Sequence, residues 1–390
     1  MSAKKVAYIN SQMLVWARAE TPFKTTLDVA ENVSGISADK LTSWENGEEL
    51  PSINEAKKLA QAYRIPLAAF FMKTPPEHKI KRFADRRTFR GTKPVDISYA
   101  LWKEINRITS NREKIIEYAD RDDLEKHKIP HFAKNVSFKR VGEVVRDYLG
   151  LKYPFETKSA YGNNAFSYYR SILEQHGIIV AQISGISLEE MRGLSIFYEP
   201  YSIIAINNKD YERAKVFSLF HELAHIVRRS SSLCLIDFNE RNDDEEKICD
   251  RIAAEILMPE EVFVKVSDGV YDSYADWNSE SLQLAGDRFG VSALAVLVRL
   301  HDLRLLSDKE YHRIFRITQN DFVRNKVSAG SNDDVRIKYY VKFLSQQGYL
   351  LPRTILAAHA RGDITYGEMC SALNVKREHL SKIERAVMFA

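Results

Sequence analysis

The chain has 390 residues and a net charge of +4, from 57 Lys and Arg against 53 Asp and Glu. Its composition is that of an ordinary globular protein, long enough for several domains with a sizeable core. A small, dispersed charge does not by itself imply nucleic acid, and no window approaches the roughly 18 apolar residues of a membrane span. The cysteines Cys234, Cys249 and Cys370 have neither disulfide nor metal-type spacing, which fits a reducing compartment. Lys4 and Lys5 lead into Tyr8, Asn10, Gln12 and Arg18 rather than an apolar signal core, so a cytoplasmic location is expected.

Residues 7–73 predict short helices over Met13–Arg18, Thr26–Val33, Ala38–Glu45 and Ile53–Tyr63, and another from Ile65-Pro66 to Phe71. Ser34-Gly35-Ile36-Ser37 makes the turn before the third helix, with Gly35 free to take positive φ and Ser37 as N-cap. Asn46-Gly47 ends that helix. On Val29-Ala30-Glu31, Gly35-Ile36-Ser37, Leu41-Thr42-Ser43-Trp44-Glu45-Asn46-Gly47, Pro51-Ser52, Leu59-Ala60 and Phe70-Phe71, residues 1–75 resemble the helix-turn-helix of phage-repressor-type (XRE) regulators. The resemblance implies that residues 37–47 contain a recognition helix, with Lys40, Thr42 and Ser43 as DNA contacts. Lys40 is that helix's one cation and sits beside Asp39, whereas phosphate binding wants a basic face. Thr26 also stands where the family usually has Gln. Dimerisation or partner docking is therefore the competing role.

Residues 76–135 read as a linker and a helical segment. A basic cluster (Lys79, Lys81, Arg82, Arg86, Arg87, Arg90) reads as a solvated link. Helices are predicted over Tyr99–Arg107 and Arg112–Ala119. Further helices cover Val141–Leu149, stopped by Gly150, and Phe166–His176, stopped by Gly177. Three β-like runs follow, Ile178–Ala181, Gly193–Tyr198 and Ser202–Asn207, and predict a small antiparallel sheet.

Directly after them comes His221-Glu222-Leu223-Ala224-His225, inside an apolar-periodic helix from about Asp210 to Val227. Residues i and i+4 share a helix face. His221 and His225 can thus present two imidazole nitrogens to one Zn²⁺, an ion that favours N, O and S donors in a tetrahedron. Glu222 lies about 100° round the helix, where it reaches a water rather than completing the tetrahedron, and so reads as general base. The next helix runs from Asn242-Asp243 to Pro259. In it Glu246 and Asp250 share a face. They suit a third ligand and a carboxylate that holds one histidine's other N–H. Glu245 is the rival ligand, and Asp243 with Glu246 also reads as a capping pair. Glu255 points to the opposite side.

Residues 161–266 resemble the ImmA/IrrE-type zinc metallopeptidases. The resemblance rests on Ile204-Ala205-Ile206-Asn207, Arg213, Phe217, Phe220 to His225, and Glu246-x-x-Cys249-Asp250 through Leu257-Met258-Pro259. Ala224, Cys249 and Ile252 depart from that family's usual Gly, Ala and Phe. The resemblance implies His221, His225 and Glu246 as zinc ligands and Glu222 as the catalytic residue. Fusion to an XRE-like domain is common in the family, and Asp85-Arg86-Arg87-Thr88-Phe89-Arg90 resembles its linker.

The expected fold is mainly α (α+β). It comprises a helical N-terminal domain (1–75), the linker segment (76–135), a zincin-like core with a small antiparallel sheet (136–306) and a small helical C-terminal domain (307–390). The expected function is a cytosolic zinc endopeptidase cleaving a regulatory, repressor-like protein. That substrate, DNA through residues 37–47 and a second copy of the chain are the expected partners, and no membrane is. Ser202–Asn207 is the candidate strand for pairing with an extended substrate, and Tyr198 and Tyr201 are candidates for oxyanion stabilisation. The rival reading is a DNA-binding or antitoxin-like regulator that uses the peptidase fold as a sensor.

Overall fold

The computed structural model describes residues 5–76, 97–133, 135–152, 154–156, 158–161, 164–229, 232–234, 244–269, 277–328 and 338–388. The basic cluster Lys79 to Arg90, with the Asp85–Arg90 stretch, and the Asn242-Asp243 helix start lie outside these residues. The chain divides into two compact units, Met1–Arg107 and Ile108–Ala390.

In the first unit, side-chain caps set the helix starts. Thr25 and Asp28 form a capping box on Thr26–Asn32, Ser37 accepts from Lys40 N on Ala38–Asn46, and Ser52 with Glu55 caps Ile53–Ala62. Each such cap satisfies backbone N–H groups that the first helical turn leaves orphaned. Gly47 closes Ala38–Asn46 at φ 77°, a left-handed position open to glycine at no steric cost. The segment after Ile65-Pro66 is a 3₁₀ turn, Leu67–Phe71. Leu14, Val29, Leu41, Leu59, Tyr63 and Phe70 are fully buried and form this unit's core.

The two helices expected after residue 98 are one continuous helix, Tyr99–Tyr118. Between them stand only Ile108, Thr109, Ser110 and Asn111. Such residues cost a helix a few tenths of a kcal/mol each and do not break it. The unit boundary falls within it.

The second unit is built on a four-stranded sheet: β1 (Ile179–Ile183), β2 (Gly193–Ile196), β3 (Ile203–Asn207) and β4 (Ser232–Cys234), in the order β1-β3-β2-β4. β1 pairs with β3 in parallel, and β2 pairs antiparallel with both β3 and β4. The sheet is therefore mixed, not antiparallel. The reason is that β2 lies between β1 and β3 in sequence, so the chain crosses over before β3 returns beside β1. β4 lies between the helix that ends at Val227 and the one that carries Glu246, where no strand is expected from the sequence. β3 is an interior strand with both edges hydrogen-bonded, so Ser202–Asn207 has no free edge to offer a substrate strand. The edges are β1 and β4.

Helices Glu212–Val227 and Ala165–Gln175 pack on the sheet and on each other, Asp244–Leu257 packs on Glu212–Val227, and their apolar faces merge into one core with Phe263, Leu282, Phe289 and Leu300. The C-terminal helices Tyr339–Gln347, Leu350–Arg361, Tyr366–Leu373 and Arg377–Met388 belong to the same unit, and Tyr339–Gln347 packs on β1. A buried ion pair ties them down. Arg170 holds Glu174 at 3.1 Å and donates to the carbonyls of Val180 and Ser345, while Glu174 accepts from Tyr349 N. Among the described residues no helix is long and apolar enough to cross a membrane.

Candidate metal centre

The helix Glu212–Val227 carries the motif, and almost all of its second half is buried. Phe220 meets Tyr169 edge to face, with ring centroids 5.0 Å apart. The Tyr169 hydroxyl is itself anchored on the Phe289 carbonyl at 2.7 Å. Packing on that side leaves the motif side chains little freedom: His221, Glu222 and His225 are 5%, 1% and 2% exposed.

The two imidazoles turn their Nε2 atoms toward each other, 3.2 Å apart. Glu246, on Asp244–Leu257, closes the triangle. One carboxylate oxygen lies 3.1 Å from His221 Nε2 and the other 3.4 Å from His225 Nε2. A tetrahedral ion with bonds of about 2.0–2.1 Å spaces its ligand atoms about 3.3–3.4 Å apart. The three donors are therefore already near the edge lengths of such a site. They also form the one group of three such donors among the described residues that a single metal ion can share. Two imidazole lone pairs facing each other call for a cation between them, and a half-buried carboxylate supplies compensating charge. The residues thus fit a divalent metal of zinc type.

The rival ligand is occupied elsewhere. Glu245 makes two hydrogen bonds with Arg228, at 2.5 and 2.9 Å. Glu255 pairs with Arg299, which also donates to the Met258 carbonyl, so it secures the end of the helix rather than the metal triangle. Asp250 lies 2.8 Å from His221 Nδ1, on the ring edge opposite the metal triangle.

Two contacts at this site have no separate sequence signature. Cys249 Sγ lies 3.5 Å from His225 Nδ1. Gly193, the first residue of β2, lies directly against the Glu222 carboxylate, where a Cβ would overlap Oε1. A glycine at the head of a β-like run hints at a close backbone approach, but only the fold says what approaches.

Tyr198 and Tyr201 both meet Arg112. The Arg112 guanidinium lies 3.8 Å from the centre of the Tyr198 ring and donates to the Tyr201 and Pro200 carbonyls. Burial pushes both phenols up to about 12. In the N-terminal unit, Lys40 pairs with Glu55 at 3.7 Å. Thr42 donates to the Ala38 carbonyl and meets Thr26 Oγ1 at 3.0 Å, and Ser43 is half-buried.

Residues 173–301 match the family model of the IrrE N-terminal-like domain, the M78 peptidases. That span is an ImmA/IrrE-type metallopeptidase domain. It takes in all four strands, the motif helix and the helix bearing Glu246, and it stops short of the N-terminal unit. No curated protein matches the chain. The peptidase domain thus holds every residue of the metal triangle, together with Glu222, Cys249, Asp250 and Gly193.

Proposed function

We propose that the chain is a zinc endopeptidase whose substrate is a regulatory protein of repressor type. The observation that carries the catalytic part is the convergence of His221 Nε2, His225 Nε2 and the Glu246 carboxylate beside buried Glu222. A Zn²⁺ held by those three residues would supply Lewis-acid polarisation of a scissile carbonyl and a lowered water pKa.

The chain's own groups do the rest. Glu222 takes the proton of the attacking water and returns it to the leaving amine nitrogen. Gly193 lets the β2 backbone close on one side of that carboxylate and so helps to hold it in place. Asp250 accepts the His221 Nδ1–H, which fixes the tautomer that leaves Nε2 available as a donor. An extended substrate strand has to seek a sheet edge other than β3.

The repressor-type substrate follows from the resemblance of the N-terminal unit to the XRE domains that such repressors carry. Lys40 is paired with Glu55 and Thr42 with Thr26, which supports docking to a partner domain of similar build more than reading of base edges.

Elemental analysis and co-expression test the proposal together. Wild type and Glu222→Gln should each purify with about one zinc per chain. A helix-turn-helix repressor encoded beside the gene should be cut only by wild type. A zinc-free wild type after supplementation would sink the metal assignment, and equal repressor levels in both strains would sink this substrate.

A further inference from the structure

Asp244–Leu257 places Glu246, Cys249 and Asp250 at i, i+3 and i+4, on one face. A histidine that binds a metal through Nε2 carries its proton on Nδ1, and that N–H needs an acceptor. His221 has one in Asp250 Oδ1, at 2.8 Å. The atom facing His225 Nδ1 is the sulfur of Cys249, at 3.5 Å, a normal length for a hydrogen bond to sulfur.

We infer that Cys249 is the positioning residue of His225: its sulfur accepts the Nδ1–H and so holds the ring and tautomer that aim Nε2 at the metal. This rests on the metal-site reading above. The opposite polarity, S–H donating to Nδ1, would put the imidazole proton on Nε2, inside the triangle, and close His225 to metal. The direction of this one hydrogen bond and the competence of the site are therefore the same question.

The choice of a thiol has a physical reason. Cys249 is fully buried and His225 nearly so. A carboxylate at this fully buried position would place a further negative charge out of water beside Glu246. A thiol sulfur offers lone pairs to an N–H. The two ligand histidines are thus supported unequally, His221 by a carboxylate and His225 by sulfur, the weaker acceptor.

The test uses the full chain, titrated with Zn²⁺ against a competing chelator, and its Co²⁺ form read by visible absorption. Three variants separate hydrogen bonding from packing: Cys249→Ser keeps an acceptor, Cys249→Ala removes it, and Cys249→Val removes it while filling the space. Zinc affinity should fall about tenfold in the Ala and Val variants and stay within about threefold of wild type in the Ser variant, the low end of what outer partners of metal ligands contribute. The Co²⁺ bands should shift in Ala and Val alone. Wild-type affinity and spectrum in all three variants would overturn the proposal, as would equal losses in Ser and Val. A wild type that binds neither ion would instead overturn the metal site itself.

Discussion

Gly193 and Glu222 touch: a Cβ on residue 193 would overlap Glu222 Oε1 and stand 3.0 Å from its Cγ. The proposed general base thus rests on a strand backbone, and the glycine is what permits the approach. Gly193→Ala has to displace one or the other. The nearest atoms that such a Cβ would meet all belong to Glu222 and not to the three donors, so we expect zinc content to hold while kcat falls about a hundredfold, the usual effect of misplacing a catalytic group by about an ångström. Steady-state kinetics alongside metal analysis checks it. Unchanged kcat would show that Glu222 has room to move.

Adjacent glutamates on one helix should respond in opposite ways. Glu246→Ala removes a donor and should abolish stoichiometric zinc. Glu245→Ala should keep zinc and cost roughly 1.5–3 kcal/mol of stability, because the buried Arg228 guanidinium loses a charged partner. Metal content and urea unfolding of the two variants decide it. The reverse pattern would move the ligand by one position.

Arg170 and Glu174 should matter to stability although neither belongs to the donor triangle. The pair is buried and holds residues 345–349 through two backbone hydrogen bonds. Glu174→Ala leaves a buried guanidinium uncompensated, so we expect about 3–5 kcal/mol of destabilisation. Faster hydrogen exchange should appear in Tyr339–Gln347 and Leu350–Arg361. Protection in these helices equal to wild type would show that they are held by their apolar faces alone.

Glu55 restrains the one cation of the expected recognition helix, at 3.7 Å from Lys40. Glu55→Gln keeps the capping box with Ser52, since Gln serves at that position, but removes the charge. If residues 37–47 touch phosphate, the variant should bind duplex DNA more tightly at low salt, with a log–log salt slope steeper by about 0.9. Identical curves for variant and wild type would support a docking role.

Stripping the metal should lower thermal stability, because an ion that binds only the folded state stabilises it by mass action. Chelator should depress the Tm of wild type and Glu222→Gln alike, and leave Glu246→Ala unmoved. A Tm shift that survives in Glu246→Ala would place the stabilising ion elsewhere.

The local features of this protein are legible in its sequence because they are set by near neighbours. The spacing His221 to His225 is one helical turn, Glu246 and Asp250 are another, and the cap at Ser37 follows from a side chain three residues from its target. What depends on residues brought together from afar was not legible. β3 reads as one β-like run among three, and only the parallel pairing with β1 makes it interior. The identity of the atom facing His225 Nδ1, the carboxylate pressed on Gly193 and the occupation of Glu245 by Arg228 all depend on how two helices and a strand meet. Sequence spacing determines which donors share a face. Packing decides which of them face one another.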